Sequence, residues 1–478
     1  MEEQTLVDVP DYEGWNAFLK QTAALFHTIP QKEAIKVIGH LDADGICSSA
    51  IMIHALIQLN RKYSLTTLPT ITEDALISLQ NENENYFVFV DLGSGSIDLI
   101  GTLLSNKRIF ILDHHMLQSE ASYENITQIN PHIYHIDGSQ EISGAGVAFL
   151  FTQELTNGKN SSMSRIAVVG AIGDVQEHDG FKKLNNDILN IAINNNLIEV
   201  KRGLKFFGVQ TKPIHKILQY SSDVLIPDVS GSESGAINFL RQLGIDPQLQ
   251  NGWKKIADLT AEEKKRLIAG IIMKRQSEEN PGDIFSNTYL LVGEIDDSPF
   301  RDAKEFSTLL NSCGRLSKTS IGIGACLNDA RMKEMAIQNL TSYRKEIVNA
   351  LNWYKDNADS DKIIKGKNYL IINAEEEIMA TMIGTFSSIL SKSNEIEKDI
   401  FIISLARNDD HTTKISVRIS GNNQTVNLKD LATSIIDKIQ HGVAGGHSFA
   451  AGAVINTEYE ERFIDAAIQV LKETPLHP

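Results

Sequence analysis

Four short apolar runs, each closing on a carboxylate or an imidazole, constrain this 478-residue chain more than any other feature. The run VIGHLDADG at 37–45 leads into His40, Asp42 and Asp44; YFVFVDLG at 86–93 leads to Asp91; RIFILDHH at 108–115 leads to Asp113, His114 and His115; and IAVVGAIGD at 166–174 leads to Asp174. Runs this short and this rich in Val, Ile and Phe predict strands covered on both faces, and hence a parallel sheet with helices on either side. Each strand then delivers its polar residue at the same end, the carboxyl edge where function collects in open parallel sheets. One Asp after one strand is ordinarily a helix cap. Four such ends in succession, carrying three His, predict a single site.

The residue types point to a cation. Asp42 and Asp44 share one short turn, and two carboxylates at that range repel unless a positive charge lies between them. Carboxylate oxygens mixed with imidazoles, and without a thiolate, suit Mn²⁺ or Mg²⁺ better than structural Zn²⁺, with the imidazoles favouring Mn²⁺.

In that order, His-x-Asp-x-Asp-Gly at 40–45, the isolated Asp91, Asp-His-His at 113–115 and Gly-Asp at 173–174 resemble the four motifs of the DHH phosphoesterases. LNSCGRL at 310–316, SVR at 416–418 and GGHSFAAG at 445–452 resemble signatures of the RecJ-like branch and its DHHA1 domain, with Ala444 where the family usually has a third glycine. The stretch 298–315 is most similar to archaeal RecJ-like exonucleases. The resemblance implies an α/β chain: a doubly wound parallel-sheet DHH domain, a smaller α/β DHHA1 domain and a mainly helical insertion. It also implies two ions, one on His40 and Asp42, the other on Asp44, His114 and Asp174, with Asp91 bridging. Such ions, roughly 3.5–4 Å apart, stabilise the attacking and leaving oxygens of a phosphoryl displacement. Asp113 would orient the neighbouring imidazole, and His115 would act at the scissile phosphate.

A second set of residues suits phosphate. Arg315 lies in a Gly-Arg-Leu turn with Lys318 nearby, and Ser416 and Arg418, two apart on a strand, share a face. A guanidinium grips two oxygens at once. Alone, Arg418 reads as a surface charge on an edge strand; the RecJ-like resemblance implies instead that these residues, with Gly445, Gly446 and His447, hold a single strand of nucleic acid running between the lobes. The implied activity is a metal-dependent single-strand exonuclease acting on DNA or RNA and releasing nucleoside monophosphates. The same motifs fit a phosphodiesterase of short oligonucleotides or cyclic dinucleotides. From another class, they fit a non-catalytic subunit of a replicative helicase.

Domain boundaries follow from pattern changes: 1–200 for the DHH domain, 201–300 for the insertion, 301–355 for a return to the first lobe with a linker helix, and 356–478 for the DHHA1 domain. Helices are expected over 11–33, with Trp15, Phe18 and Leu25 on its packing face, and over 46–59. Thr260 and Glu263 form a capping box, and a long charged helix covers 333–354. The glycines of SGAGV at 143–147 suit close helix packing, since no P-loop spacing occurs. In archaeal RecJ-like proteins the corresponding insertion resembles one through which replication relatives engage the GINS complex, so 201–300 is the expected docking element, with packing against the catalytic lobe as its plainer role.

The balance of 45 basic against 61 acidic residues, net −16, confines any nucleic-acid contact to a local groove. Three cysteines without metal-finger spacing fit a reducing cytoplasm. Cys47 and Cys313 read as buried small residues. The acidic start, 1–10, lacks a signal peptide's basic region, and no run approaches membrane-span length.

Overall fold

The structure, a computed structural model, describes residues 9–119, 121–177, 180–221, 224–393, 395–421 and 425–474. Most of the acidic start, 1–8, lies outside them. The chain divides into two compact units, Met1–Asn339 and Leu340–Pro478.

In the first unit, helix α1 (Tyr12–His27) buries Trp15, Leu19, Ala23 and Phe26, a stripe at helical spacing, while Phe18 and Leu25 flank it half-buried. Then follow β1 (Ile35–His40), α2 (Ala43–Gln58), β2 (Tyr63–Leu68), α3 (Glu73–Gln80), β3 (Tyr86–Val90), α4 (Ile97–Leu103), β4 (Arg108–Leu112), β5 (Ile126–Ile129) and α5 (Gly144–Leu155). The five strands are all parallel, in the order β2-β1-β3-β4-β5. Helices α2 and α5 cover one face, and α3 and α4 pack with Ile38, Phe87, Phe89, Ile109 and Ile111 on the other. The sheet is therefore doubly wound. Its order reverses between β1 and β3, a topological switch point, where such folds open a crevice at the strands' carboxyl ends.

One expected strand is a helix. The run at 166–174 forms most of α6 (Ser164–Gly173), with Asp174 as its C-cap residue. A short run apolar on every side cannot distinguish a buried strand from a buried helix. Its glycines decide the packing: a Cβ on Gly170 would lie 2.5 Å from Ala145 Cβ, and one on Gly173 2.7 Å from Ala43 Cβ, so α6 crosses α5 and α2 at backbone distance.

Helix α7 (Lys183–Asn194) leads to β6 (Ile198–Leu204). The insertion follows with α8 (Ile214–Gln219), α9 (Glu233–Gln242), β7 (Gln248–Leu249), β8 (Gly252–Trp253) and α10 (Ala261–Lys274), and β9 (Phe285–Leu291) then pairs antiparallel with β6. It is mainly helical and has its own core, including Leu218, Leu240, Ile245, Leu267 and Ile271. Thr260 and Glu263 cap α10 reciprocally, as their spacing predicted. Helices α11 (Ala303–Arg315) and α12 (Thr319–Cys326) return to the first core, and α13 (Ala330–Asp356) contains the unit boundary. Cys47, Cys313 and Cys326 are all buried, and burial pushes the Cys313 thiol up to about 12.

The second unit holds β10 (Ile363–Lys365), β11 (Tyr369–Asn373), α14 (Ile383–Ser391), β12 (Phe401–Arg407), β13 (Thr412–Ile419), α15 (Leu428–Ile439), β14 (Val443–His447), β15 (Ala450–Asn456) and α16 (Glu460–Glu473). Its six-stranded sheet runs β10-β11-β12-β13-β15-β14 and is antiparallel except between β11 and β12. Residues of α15 and α16 pack on one face, and α14 lies on the other.

Candidate metal centre

The site is assembled at the carboxyl edge of the first sheet. His40 ends β1, and Asp42 caps α2 by accepting a hydrogen bond from Gly45 N at 3.0 Å, which points Asp44 inward from the first turn. Asp91 follows β3 with φ at +61°, a left-handed conformation uncommon outside glycine and tolerated best by Asn and Asp. Asp113 follows β4 and is wholly buried. It accepts Ser94 N and His114 N at 2.8 Å each and meets His115 Nδ1 at 2.7 Å. Asp113 is therefore occupied in fixing the turn and the His115 ring.

Three overlapping groups result, each with ligand atoms within 4.8 Å of one another: His40, Asp42 and Asp91; Asp44, His114 and Asp174; and Asp91, His114 and His115. His40 Nδ1 lies 3.0 Å from Asp42 Oδ2 and 3.4 Å from Asp91 Oδ2. His114 Nε2 lies 3.3 Å from Asp91 Oδ1, 3.7 Å from Asp174 Oδ2 and 3.9 Å from Asp44 Oδ2. These approaches lack hydrogen-bond alignment. His40 Nδ1, His114 Nε2 and Asp91 Oδ1 are buried without a hydrogen-bond partner, which ordinarily costs about 1–3 kcal/mol per group. Unpaired nitrogens and carboxylate oxygens converging on one space are the donor set that a divalent cation requires.

The electrostatics are strained in the same sense. Burial raises the Asp44 carboxyl well above its ordinary value, and Asp91 and Asp174 raise it further. Burial also raises Asp174. Burial opposes charge on His40, yet Asp42 and Asp91 hold its pKa well above the usual imidazole value. Asp42, despite burial, is held far below the carboxylate range by His40, with help from the Gly45 amide and Arg315.

Several contributors were not read from the sequence. Ser143 Oγ and Ala145 N donate to Asp44 Oδ1 at 2.9 and 3.1 Å, and Gly144 N donates to Oδ2 at 2.7 Å. The N-terminus of α5 thus binds an anion, and the anion is the chain's own carboxylate. The signal was a Ser capping a glycine-rich helix start. Asn311 Oδ1 accepts Ala43 N at 3.0 Å, which ties α11 to the metal loop. A Cβ on Gly314 would sit within 2.8 Å of the Leu41 carbonyl carbon, so LNSCGRL is the sequence of a close crossing.

The proposed phosphate ligands belong to different units. Arg315, expected in a turn, is the last residue of α11 in the first unit, near enough to Asp42 to lower its pKa. Ser416 and Arg418 lie on β13, an interior strand rather than an edge. Ile415 and Val417 enter the core on the opposite face. Arg418 Nε donates to Ser388 Oγ of α14 at 2.9 Å, and its Nη1 donates to the Ala451 carbonyl at 3.2 Å. Ser416 Oγ is buried without a hydrogen-bond partner. Gly445, Gly446 and His447 lie in a hairpin: they belong to the exposed edge strand β14 and pair with Gly452, Ala451 and Ala450. Alternating small residues look alike in loops and in edge strands.

Three family profiles match the chain: the DHH family N-terminal domain over 34–173, the DHH-CID domain over 206–283 and the DHHA1 domain over 366–473. An uncharacterized protein of Methanocaldococcus jannaschii is 32% identical over 451 residues, 92% of this chain and 93% of its own. The chain belongs to the DHH family. Its fold is that of the RecJ-like branch. RecJ from Thermus thermophilus, solved with Mn²⁺, matches 96% of this chain at 16% identity and a TM-score of 0.58, and this chain spans 55% of that protein. CDC45 from Entamoeba histolytica matches 96% of this chain and 98% of its own at 14% identity and a TM-score of 0.60. Membership of this phosphoesterase family supports a hydrolase. Among the described residues, no helix of this DHH protein is long and apolar enough to cross a membrane.

Proposed function

We propose that this DHH protein is a metal-dependent single-strand exonuclease that hydrolyses phosphodiester bonds of DNA or RNA to nucleoside monophosphates. The observation that carries the reading is the pair of ligand groups joined through Asp91 and His114, with unpaired donor atoms facing a common space. His40 and Asp42 would hold one ion and Asp44, His114 and Asp174 the other, with Asp91 shared; Mn²⁺ suits the mixed oxygen and imidazole set, and Mg²⁺ is the alternative. When bound, such ions supply an activated water and charge neutralisation at the phosphate. The chain's residues supply the positioning. Asp113 engages His115 Nδ1, which leaves Nε2 of this half-exposed ring as the atom that can hydrogen-bond a phosphate oxygen or protonate the leaving oxygen. Ser143, Gly144 and Ala145 donate to the Asp44 side chain and fix its orientation.

End-labelled single-stranded DNA and RNA incubated with Mn²⁺ should yield mononucleotides from long strands. Cleavage confined to strands a few residues long, or to cyclic dinucleotides, would replace this reading with the oligonucleotide phosphodiesterase. Absence of any hydrolysis would leave the helicase-subunit reading that the CDC45-like fold permits, although the ligand set is intact.

Arg315, Ser416 and Arg418, with Gly445, Gly446 and His447, are the proposed substrate contacts. Arg315→Ala and Arg418→Ala should each weaken single-strand binding and lower the logarithmic salt slope by roughly one unit, and Arg418→Ala should leave Mn²⁺ affinity unchanged. An unchanged slope with normal turnover would remove them from the substrate path. The insertion is the proposed docking element for a GINS-type replication complex. Replacing 206–283 by a short linker should abolish capture of that complex and preserve hydrolysis of short strands, and undiminished capture would place the docking surface elsewhere.

A further inference from the structure

The geometry points to Gln176 as a positioning residue that orients the Asp174 and His114 ligand arm, an inference that rests on the two-ion reading above. Helix α6 closes with Val175 N donating to the Ile172 carbonyl at 3.1 Å and Gln176 N donating to the Ala171 carbonyl at 2.9 Å. This paired closure requires a left-handed residue between them, the position where glycine is usual. Here it is Val175, at φ +58° and 77% exposed, so a β-branched side chain adopts a disfavoured conformation without a packing return. What the turn achieves is the placement of the next side chain. Gln176 is 4% exposed and enters the space behind the metal centre.

There its amide makes a specific set of bonds. Nε2 donates to Asp174 Oδ2 at 2.7 Å and to the Gly138 carbonyl at 2.9 Å. The same carbonyl meets His114 Nδ1 at 2.7 Å. Oε1 accepts from Asn185 Nδ2 at 2.7 Å, which fixes the amide's orientation: the reverse would set an oxygen against the Asp174 carboxylate and the Gly138 carbonyl. One side chain therefore links two ligands of the same group, Asp174 directly and His114 through a shared acceptor. With Nδ1 turned to the Gly138 carbonyl, His114 presents Nε2 to the cluster. Outer partners of this kind set ring tautomer and carboxylate angle, and their loss typically lowers metal affinity about 10- to 100-fold.

Titration of the full chain with Mn²⁺ alone, followed by calorimetry and by the paramagnetic resonance of free Mn²⁺, tests the assignment without reference to catalysis. Gln176→Met fills the same volume but lacks the amide. It should retain one site at wild-type affinity and weaken the other about 10- to 100-fold. Asn185→Ala, which releases the amide's orientation, should weaken the same site by a smaller factor. A folded Gln176→Met protein with both affinities unchanged overturns the proposal, and if that variant does not fold, unchanged affinities in Asn185→Ala do so. Should the wild-type chain bind only one ion, the two-ion reading fails, and Gln176 is then judged by whether that one affinity falls in the variant.

Discussion

Asp91→Ala is expected to lower hydrolysis of single strands by several powers of ten while leaving a folded protein, because a two-ion clamp fails when its shared carboxylate is lost. Asp91 approaches both His40 and His114 and belongs to two of the three ligand groups. It is 2% exposed, and its Oδ1 has no hydrogen-bond partner. Its charge adds to the burial that raises Asp44 and also favours the charged forms of His40 and His114, so its removal relieves one repulsion and loses two attractions. Alanine also loses the tolerance of the left-handed backbone that Asp has, and Asp91→Asn keeps it. Both variants should lose activity, and only the alanine should show a small backbone penalty. Activity within tenfold of wild type in Asp91→Asn would sink the bridging role.

Gly144→Ala should lower the rate on the order of 100-fold, although it removes no charged group. A Cβ there would sit 2.8 Å from both Cβ and Cγ of Asp91 and nearer still to Oδ1, closer than real Cβ atoms approach. The Asp91 side chain must move, or the start of α5 must. Either shift disturbs a ligand: Asp91 in the first case, and in the second Asp44, whose Oδ2 accepts Gly144 N. Displacement of a reacting constellation by about 1 Å costs on the order of 100-fold in rate, and overpacking costs about 1–3 kcal/mol of stability. Turnover at saturating Mn²⁺ and a thermal melt would separate the two effects. A wild-type rate would mean that the carboxylate is not held where the reaction needs it.

Much of this site was legible because its ligands follow the ends of β-strands, and strand ends are marked in sequence by a change from apolar to polar residues. His40, Asp91 and His114 are of that kind. Asp174, expected after a strand, follows a helix: the run before it is apolar on all sides, and its glycines serve crossings with α2 and α5. What periodicity does not encode is which backbone groups meet a side chain. Asp44 therefore read as a ligand, while the three donors of 143–145 that hold it read as a packing motif. Gln176 stood two residues beyond a named ligand and carried no signal, since a buried amide looks like any loop polar residue until its partners are known. Arg315 read as a companion of Arg418 because both are arginines in phosphate-like contexts, yet its helix belongs to the first unit.

The insertion enters and leaves through one antiparallel pair, with Leu204 opposite Phe285. Paired residues of that kind have Cα atoms about 4.5–5.5 Å apart. To the host, the whole segment between them amounts to the tip of a hairpin, and an independently cored tip that holds its own ends together imposes almost no chain-closure entropy on what carries it. Lineages can thus exchange, enlarge or prune this segment by recombination at two neighbouring points without re-optimising the sheet that positions the ligands. If the insertion is a docking element, its partner choice could change through its own surface, since the candidate metal ligands all lie outside it.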